Sequence, residues 1–527
     1  MTFVNPLKRA YRWLEAWFNL SFGPAWNPLY NLGTLAFFFF WIVFISGLYL
    51  FIFFDTSLAG AYASMEYMTH EQWYAAGVMR SLHRYASDAA VVTILLHMFR
   101  EFALDRYRGF RWFSWFTGVP TLGLVIVLGI TGYWLVWDEL ALYVAMLSSR
   151  LADALPLVGG SMERDFLVGQ LTDRFFTLMA FLHLLGLPVL FLFAIWIHVK
   201  RLARVEINPP RGLAVGSLVA LLALSLAAPA ESHGPADLSR VAPVLNLDWY
   251  YLGLYPLMDY WSPGQTWIAI LGLTLLLMLL PWLPPRPTGP AAEVHLDHCN
   301  GCGQCADDCP FDAITVQART DGARWPHEVV VDPALCAACG ICVASCPSSN
   351  PFRMRDRALV TGIDMPQFSA DDMRNRTREA LAGLDTDTPI LVFGCDHALD
   401  VSTLAAANTA TISLFCTGML PATLVEFALK HGAHGVFITG CRTGDCYYRF
   451  GNLWLDKRFA GSRKPILRAR ADRSRIRVFR GAETDGTAIR QALADFGEEL
   501  AGRAPPGQPP SQPPSPRTTT ETDHGAR

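Results

Sequence analysis

Two sets of residues in this 527-residue chain have the types and spacing of cofactor ligands. The first is histidine. The chain has 13, and only four fall inside long apolar stretches: His83 and His97, fourteen residues apart, and His183 and His198, fifteen apart. On an α-helix an interval of fourteen covers about 21 Å and leaves both rings within roughly 40° of one face. A histidine within a membrane helix is expensive and by default functional. Neutral imidazoles facing one another at two depths of a helix bundle suit axial ligation of two b-type haems, which a lone hydrogen-bonded core histidine would not explain. The second set is cysteine. All 12 lie at or after Cys299. Eight form the tandem Cys299-x-x-Cys302-x-x-Cys305-x-x-x-Cys309-Pro310 and Cys336-x-x-Cys339-x-x-Cys342-x-x-x-Cys346-Pro347; the others are Cys395, Cys416, Cys441 and Cys446. These are metal-ligand spacings rather than a disulfide framework, and they imply reduced thiols in the cytoplasm.

The elements that must carry these ligands follow from composition. The chain is 52% hydrophobic and 17% charged, which points to membrane spans. Apolar segments long enough to cross occur at 31–54, 82–104, 116–137, 172–199, 212–230 and 265–284. Lysine and arginine gather before the first segment (Lys8, Arg9, Arg12), between the second and third (Arg100, Arg106, Arg108, Arg111) and between the fourth and fifth (Lys200, Arg201, Arg204, Arg211). The positive-inside rule then places both termini in the cytoplasm, and an even number of spans agrees. The second and fourth segments run in one direction, so His83 and His183 share a depth near the outer face, and His97 and His198 share one near the inner face. The first segment has Gly33 and Gly47, and the third has Gly118 and Gly132, again fourteen apart. Such glycines are expected to let a flat macrocycle approach the backbone, although small residues also serve helix packing. The N-terminus lacks the pattern of a secretory signal. A net charge of -3 and the lack of a basic aromatic patch argue against nucleic acid.

Residues 20–140 resemble the cytochrome b of the quinol-oxidising bc and bf complexes. The likeness rests on the glycine pairs, the His83/His97 stretch with Arg84 and Arg100, and GYWLVWD at 132–138. VGQLTDRFF at 168–176 and the His183/His198 pair extend it, and the fifteen-residue interval favours the bf type. The resemblance implies a low-potential haem on the outer side, a high-potential haem on the cytoplasmic side, and arginines (here Arg84 and Arg100) meeting haem propionates. There are departures. Asn31 stands where the bf-type protein attaches an extra haem through cysteine, so that haem is not expected, and Val136 replaces a proline. The interval from Arg174 to His183 is about one turn longer. The outer-site Pro-Glu-Trp-Tyr reads Leu247-Asp248-Trp249-Tyr250, leaving Asp248 as candidate quinol proton acceptor or as an interfacial carboxylate beside an aromatic belt.

A Pro-rich linker at 285–293 leads into the second half. The tandem at 294–356 resembles a two-cluster bacterial ferredoxin, in which the fourth cysteine of each run ligates the other cluster. That implies one [4Fe–4S] cluster on Cys299, Cys302, Cys305 and Cys346, and a second on Cys336, Cys339, Cys342 and Cys309. After a second linker, 357–388, the stretch 389–500 alternates strand and helix, with Cys395, Cys416 and Cys441 at strand ends and Cys446 in the next loop. Open parallel sheets bind ligands there, so a third iron–sulfur site, [2Fe–2S], is expected. GCRTGDCYYRFGN at 440–452 resembles the delta subunit of methyl-viologen-reducing hydrogenases, a family that relays electrons to flavoproteins. Asp396 and His397 occupy the region of a further cysteine in that family. The tail, 501–527, has the composition of disorder.

The expected fold is multidomain: an all-α transmembrane bundle of about six spans (1–284), a small α+β ferredoxin-like domain and an α/β domain with a mostly parallel sheet. The expected function is a membrane-bound oxidoreductase subunit in an inner (cytoplasmic) membrane, with its iron–sulfur domains cytoplasmic. It would relay electrons between a soluble flavoprotein, dehydrogenase or hydrogenase subunit and quinone, and could pair as a homodimer. No G-x-G-x-x-G follows a strand, so no nucleotide site of its own is expected. The rivals are a complete bc-type quinol oxidase using Asp248, and a haem-free membrane anchor.

Overall fold

Local sequence sets the helix boundaries in the membrane half. The computed structural model describes residues 4–156, 172–239, 244–285, 289–354 and 357–502. The first four residues of VGQLTDRFF and the expected tail from 503 onward lie outside these. Helix α1, Val4–Trp26, is kinked at Gly23 (φ 72°), ahead of Pro24. Then come α2 (Leu32–Phe51), α3 (Ala61–His70), α4 (Val78–Ala103), α5 (Trp112–Val136) and α6 (Glu139–Asp153). The GYWLVWD motif ends α5: Trp137 takes a left-handed φ of 54°, and the Asp138 carboxylate caps α6 by accepting from Ala141 N at 2.8 Å. A long helix comes next in two parts, α7 (Asp173–Phe181) and α8 (Leu187–Val199), joined by a π turn at Leu182–Gly186. The set closes with α9 (Arg211–Ala227) and α10 (Pro263–Leu279).

Four stretches among the described residues have the length and apolar composition to cross a membrane: Leu32–Phe51, Gly109–Val136, Asp173–Val199 and Pro263–Trp282. Six were expected. Helix α4 has 26 residues but carries Arg80, Arg84, Asp88, Arg100 and Glu101 along with its histidines. Helix α9 has 17 residues, at the lower limit for a span. Helix α2 lies along α4, and α5 along α8. Lipid gives helices little hydrophobic reason to associate, so close packing must hold them. Ala86 and Val91 on α4 are fully buried, and the Phe40 and Phe191 rings meet at 4.6 Å between centroids.

The described chain divides into two units, one of residues 1–289 with 310–313 and 332–337, the other of residues 290–309, 314–331 and 338–527. In the second unit, β1 (Glu293–Val294) pairs antiparallel with β4 (Ile363–Asp364), and β2 (Ile314–Ala318) with β3 (His327–Val331). Two short helices, α11 (Gln304–Asp308) and α12 (Ile341–Ser345), repeat one local design. Each is preceded by a glycine at φ 73° (Gly303 and Gly340) and followed by an extended cysteine (Cys309 and Cys346). The expected linker 357–388 is instead built into the fold. It supplies β4 and α13 (Ala370–Ala382), whose Ser369/Asp372 capping box fixes the helix start.

The remaining sheet is fully parallel, in the order β6-β5-β7-β8, with β5 (Ile390–Cys395), β6 (Thr409–Leu414), β7 (Gly435–Gly440) and β8 (Ile476–Arg480). Helices α14 (Ala422–Lys430), α15 (Gly451–Ala460) and α16 (Gly486–Ala501) accompany it. The helical stretch expected between β5 and β6 is only a 3-10 turn, Val401–Leu404. Because β6 and β7 lie on opposite sides of β5, the strand order reverses there. Cys395, Cys416 and Cys441 stand at the C-terminal ends of those three strands, the crevice where open α/β sheets bind ligands.

Candidate functional site

The histidines of α4 and α7–α8 meet in pairs. The His83 and His183 ring centroids are 6.3 Å apart with planes at 63°. A metal bound to both imidazoles at about 2.0 Å would separate the centroids by about 6 Å. His97 and His198 are close enough to interact electrostatically. Each of the four rings lies against one of the paired glycines. A Cβ added to Gly47 would stand 2.9 Å from His83 Cε1, one on Gly132 2.9 Å from His183, one on Gly118 3.1 Å from His198, and one on Gly33 3.6 Å from His97. The space a side chain would fill is therefore occupied by the imidazole itself. The sequence expectation put a macrocycle there; here the glycines seat the ligand rings.

Three of these seats share a further design. His83 Nδ1 is 2.9 Å from the Val43 carbonyl and 3.1 Å from Ser46 Oγ. His183 bonds the Leu128 carbonyl and lies 3.1 Å from Thr131 Oγ1. His198 bonds the Ser114 carbonyl and lies 3.3 Å from Thr117 Oγ1. In each case the carbonyl is four residues before the glycine and the hydroxyl one before it. The hydroxyls donate to the carbonyls of Ile42, Val127 and Phe113, so their lone pairs are left to accept from the ring. A carbonyl partner fixes the proton on Nδ1 and leaves Nε2 as the metal-binding nitrogen. That donor set fits haem iron. The hydroxyls of Ser46, Thr117 and Thr131 were missed from the sequence, where a Ser/Thr-Gly dipeptide at three of the four glycines was their visible signal.

A cavity of about 410 Å³ opens beside the His83/His183 pair, within the range of small-molecule sites, and His83, His183, Gly47, Gly132 and Asp248 line it. At its rim Arg84 pairs with both Asp88 and Asp248, and Tyr133 donates to Asp248. Tyr250 reaches the other Asp248 oxygen at 3.5 Å. Both oxygens of the candidate acid are thus engaged, and Arg84, which the resemblance assigned to a propionate, holds these two carboxylates. Arg100 bonds Glu15 at 2.9 Å and Glu101 at 3.3 Å.

In the second unit the thiols of Cys299, Cys302 and Cys346 all act on Cys305, whose pKa is raised first by burial and then by these neighbours. These four are the cysteines that the ferredoxin resemblance assigns to one [4Fe–4S] cluster. Cys309, Cys339 and Cys342 sit on or beside α11 and α12 in the matching positions. At the sheet edge, Cys395 and Cys441 Sγ are 3.9 Å apart, near the roughly 3.8 Å that two thiolates on one tetrahedral metal would show. Cys416 hydrogen-bonds both Cys395 and Cys446, and these bonds, then burial, raise its thiol well above the ordinary range. Cys416 and Cys441, which face Cys446, lower its pKa well below that range. A Cβ on Gly451 would lie 2.1 Å from Cys416 Sγ, so only glycine leaves room for the sulfur. Asp396 and His397 are engaged elsewhere: Asp396 accepts from Ser413, and His397 stacks on Tyr447 at 3.6 Å. Four convergent sulfurs fit an iron–sulfur cluster.

Three stretches of the chain match known families. Residues 19–205 match the family Cytochrome b/b6/petB. Cytochrome b6 of Gracilaria tenuistipitata var. liui is 30% identical over 192 residues, 36% of this chain and 87% of that protein. The chain belongs to the cytochrome b/b6 family. Cytochrome b6 of Prochlorothrix hollandica is 31% identical over 163 residues, 30% of this chain and 73% of that one. This family member carries two further modules in the expected order: residues 298–350 match the 4Fe-4S dicluster domain, and 391–502 match the methyl-viologen-reducing hydrogenase delta subunit. Among solved structures, a chain of a hyperthermophilic respiratory Complex III is similar, with TM-score 0.40 and 21% identity, over 53% of this chain and 81% of that one. The protein is a multi-pass membrane electron-transfer subunit whose family implies haem and whose second half implies iron–sulfur clusters.

Proposed function

We propose that this cytochrome b-type subunit relays electrons between a soluble redox partner on the cytoplasmic side and membrane quinone. The observation that carries the reading is the repeated histidine seat, in which a glycine makes room for the ring and a helix carbonyl engages Nδ1, leaving Nε2 for iron. His83 with His183, and His97 with His198, hold two b-type haems. Cys299, Cys302, Cys305 and Cys346 hold one [4Fe–4S] cluster, and Cys336, Cys339, Cys342 and Cys309 the other. Cys395, Cys416, Cys441 and Cys446 hold a [2Fe–2S] cluster. Bound in these sites, the groups supply one-electron transfer; the side chains orient them, exclude water and set their potentials. The soluble partner is a flavoprotein, dehydrogenase or hydrogenase subunit, and docks on the α/β domain.

The test is a redox titration of the purified full chain, following the b-type α-band together with iron and acid-labile sulfide. Two haems and about ten non-haem irons per chain are expected, with haem reduction following cluster reduction and a quinone analogue reoxidising both. Absence of a b-type α-band, or clusters that never exchange electrons with haem, refutes the proposal.

A further inference from the structure

Arg458, on α15, has a side chain with no solvent exposure. A guanidinium in such a place needs partners to be tolerated; its Nε has none, and the three acceptors of Nη1 and Nη2 all lie within two residues of a cysteine. Nη1 donates at 2.8 Å to the carbonyl of Gly418, two residues after Cys416. Nη2 donates at 2.8 Å to the carboxylate of Asp308, the residue before Cys309. Nη2 also donates at 2.7 Å to the hydroxyl of Ser345, the residue before Cys346. Ser345 in turn donates to Asp308 at 2.8 Å, and the Trp454 indole N–H donates to the Asp308 carbonyl at 3.0 Å. Partners 150, 113 and 40 residues away in sequence are drawn onto one side chain.

Around this pin the loops touch on one side. A Cβ on Gly340, between Cys339 and Cys342, would lie 3.0 Å from Met419, and one on Gly418 would lie 3.1 Å from Ile341. Tyr448 is near enough to Cys339, Cys416 and Cys395 to feel all three. Cys302, in the other ligand run, is exposed instead.

A buried ion pair is weak evidence for stability, and its best-attested use is to specify one arrangement. We propose that Arg458 is a positioning residue that seats the four-cysteine site on the Cys309/Cys339/Cys342 site, so that these two exchange electrons directly and the Cys299/Cys302/Cys305/Cys346 site reaches the four-cysteine site only through them. Each exchange moves one electron, oxidising one site as it reduces the other, with no bond made or broken. The proposal rests on the reading that all three sites hold iron–sulfur clusters.

The experiment is electron paramagnetic resonance on the reduced full chain, with iron and sulfide counted in each sample. In Cys339→Ala the four-cysteine signal should lose its fast relaxation and broadening, whereas Cys302→Ala should leave both in place. The reverse pattern overturns the order. Arg458→Met with a full iron complement should lose the same coupling and slow electron exchange at least tenfold. Arg458→Lys, which keeps the charge but reaches fewer partners, should recover part of it. Unchanged coupling in a fully loaded Arg458→Met overturns the role of Arg458. Should that variant fail to load iron, the Cys339→Ala and Cys302→Ala comparison decides. A wild-type chain with no iron on the four cysteines refutes the three-cluster reading itself, an outcome distinct from a wrong order.

Discussion

Replacing the four seat glycines by alanine, one at a time, separates two explanations of why they are there. Were the glycines clearance for a flat macrocycle, all four alanines should harm haem binding alike. With imidazoles in the seats, the harm should follow the clearance. At Gly47 and Gly132 the new methyl would stand 2.9 Å from a ring carbon, where about 3.5–4.0 Å is comfortable, so the ring must retreat by about 0.6–1 Å. For His83 that retreat stretches the 2.9 Å bond to the Val43 carbonyl out of hydrogen-bond range. The overpacking costs about 1–3 kcal/mol and the lost bond about 0.5–1.5 kcal/mol. Loss of the partner that orients a metal-bound histidine typically weakens metal affinity about 10–100-fold. Gly47→Ala and Gly132→Ala should therefore lose haem by about that factor. Gly118→Ala, at 3.1 Å, should lose less, and Gly33→Ala, at 3.6 Å, should bind nearly as well as wild type. Gly123→Ala, with no atom within 4 Å, is the control. The assay is haem per polypeptide from the α-band of detergent-solubilised protein across a haem titration. Equal loss in Gly33→Ala and Gly47→Ala, or full retention in Gly47→Ala and Gly132→Ala, would refute the reasoning.

The same geometry fixes three further outcomes. His83→Leu and His183→Leu should give one and the same reduced-minus-oxidised spectrum, lacking the outer haem, while His97→Leu and His198→Leu share another; four different spectra would break the pairing. Cys305→Ala and Cys346→Ala should each remove the same [4Fe–4S] signal, whereas Cys342→Ala and Cys309→Ala remove the other, as read by paramagnetic resonance. Asp248→Asn should destabilise the outer end of the bundle by about 1–2 kcal/mol through its bonds with Arg84 and Tyr133, seen as a lower Tm. Quinol turnover should be unchanged; a fall in turnover at unchanged Tm would restore Asp248 as the outer acid.

What was legible in the sequence is what ligand chemistry forces. Only certain side chains bind iron, and the helix period and the turn of a ferredoxin loop fix their spacing, so His83, His97, His183, His198 and the cysteine runs stood out. Residues that position those ligands have no such constraint. Arg458 meets Asp308 across 150 positions and Arg84 meets Asp248 across 164. Neither pairing leaves any local trace. The stretch 357–388 read as a linker because α13 is built mostly of charged and polar residues, although its Met373 and Thr377 are fully buried. Helix α9 read as a span from composition, and that its 17 residues sit at the lower limit for one shows only once its ends are defined.

One discrepancy in the sequence did carry structural information, the interval of fifteen in the second histidine pair against fourteen in the first. In an unbroken helix fourteen steps bring the second ring back to within about 40° of the first, and a fifteenth turns it about 100° further, to the other side of the stripe. Unbroken helices with those intervals would turn their second histidines through angles about 100° apart. The π turn at Leu182–Gly186 resolves the conflict, because a π turn takes up one extra residue while the helix beyond it keeps its phase. His183 lies inside it. The extra residue is thus absorbed at the ligand itself, and His183 and His198 regain the phase of His83 and His97. The widened turn also has i→i+5 bonds in place of the tighter ladder, and such bulges recur at functional sites. The π turn is therefore what lets an interval of fifteen serve one helix and an interval of fourteen the other.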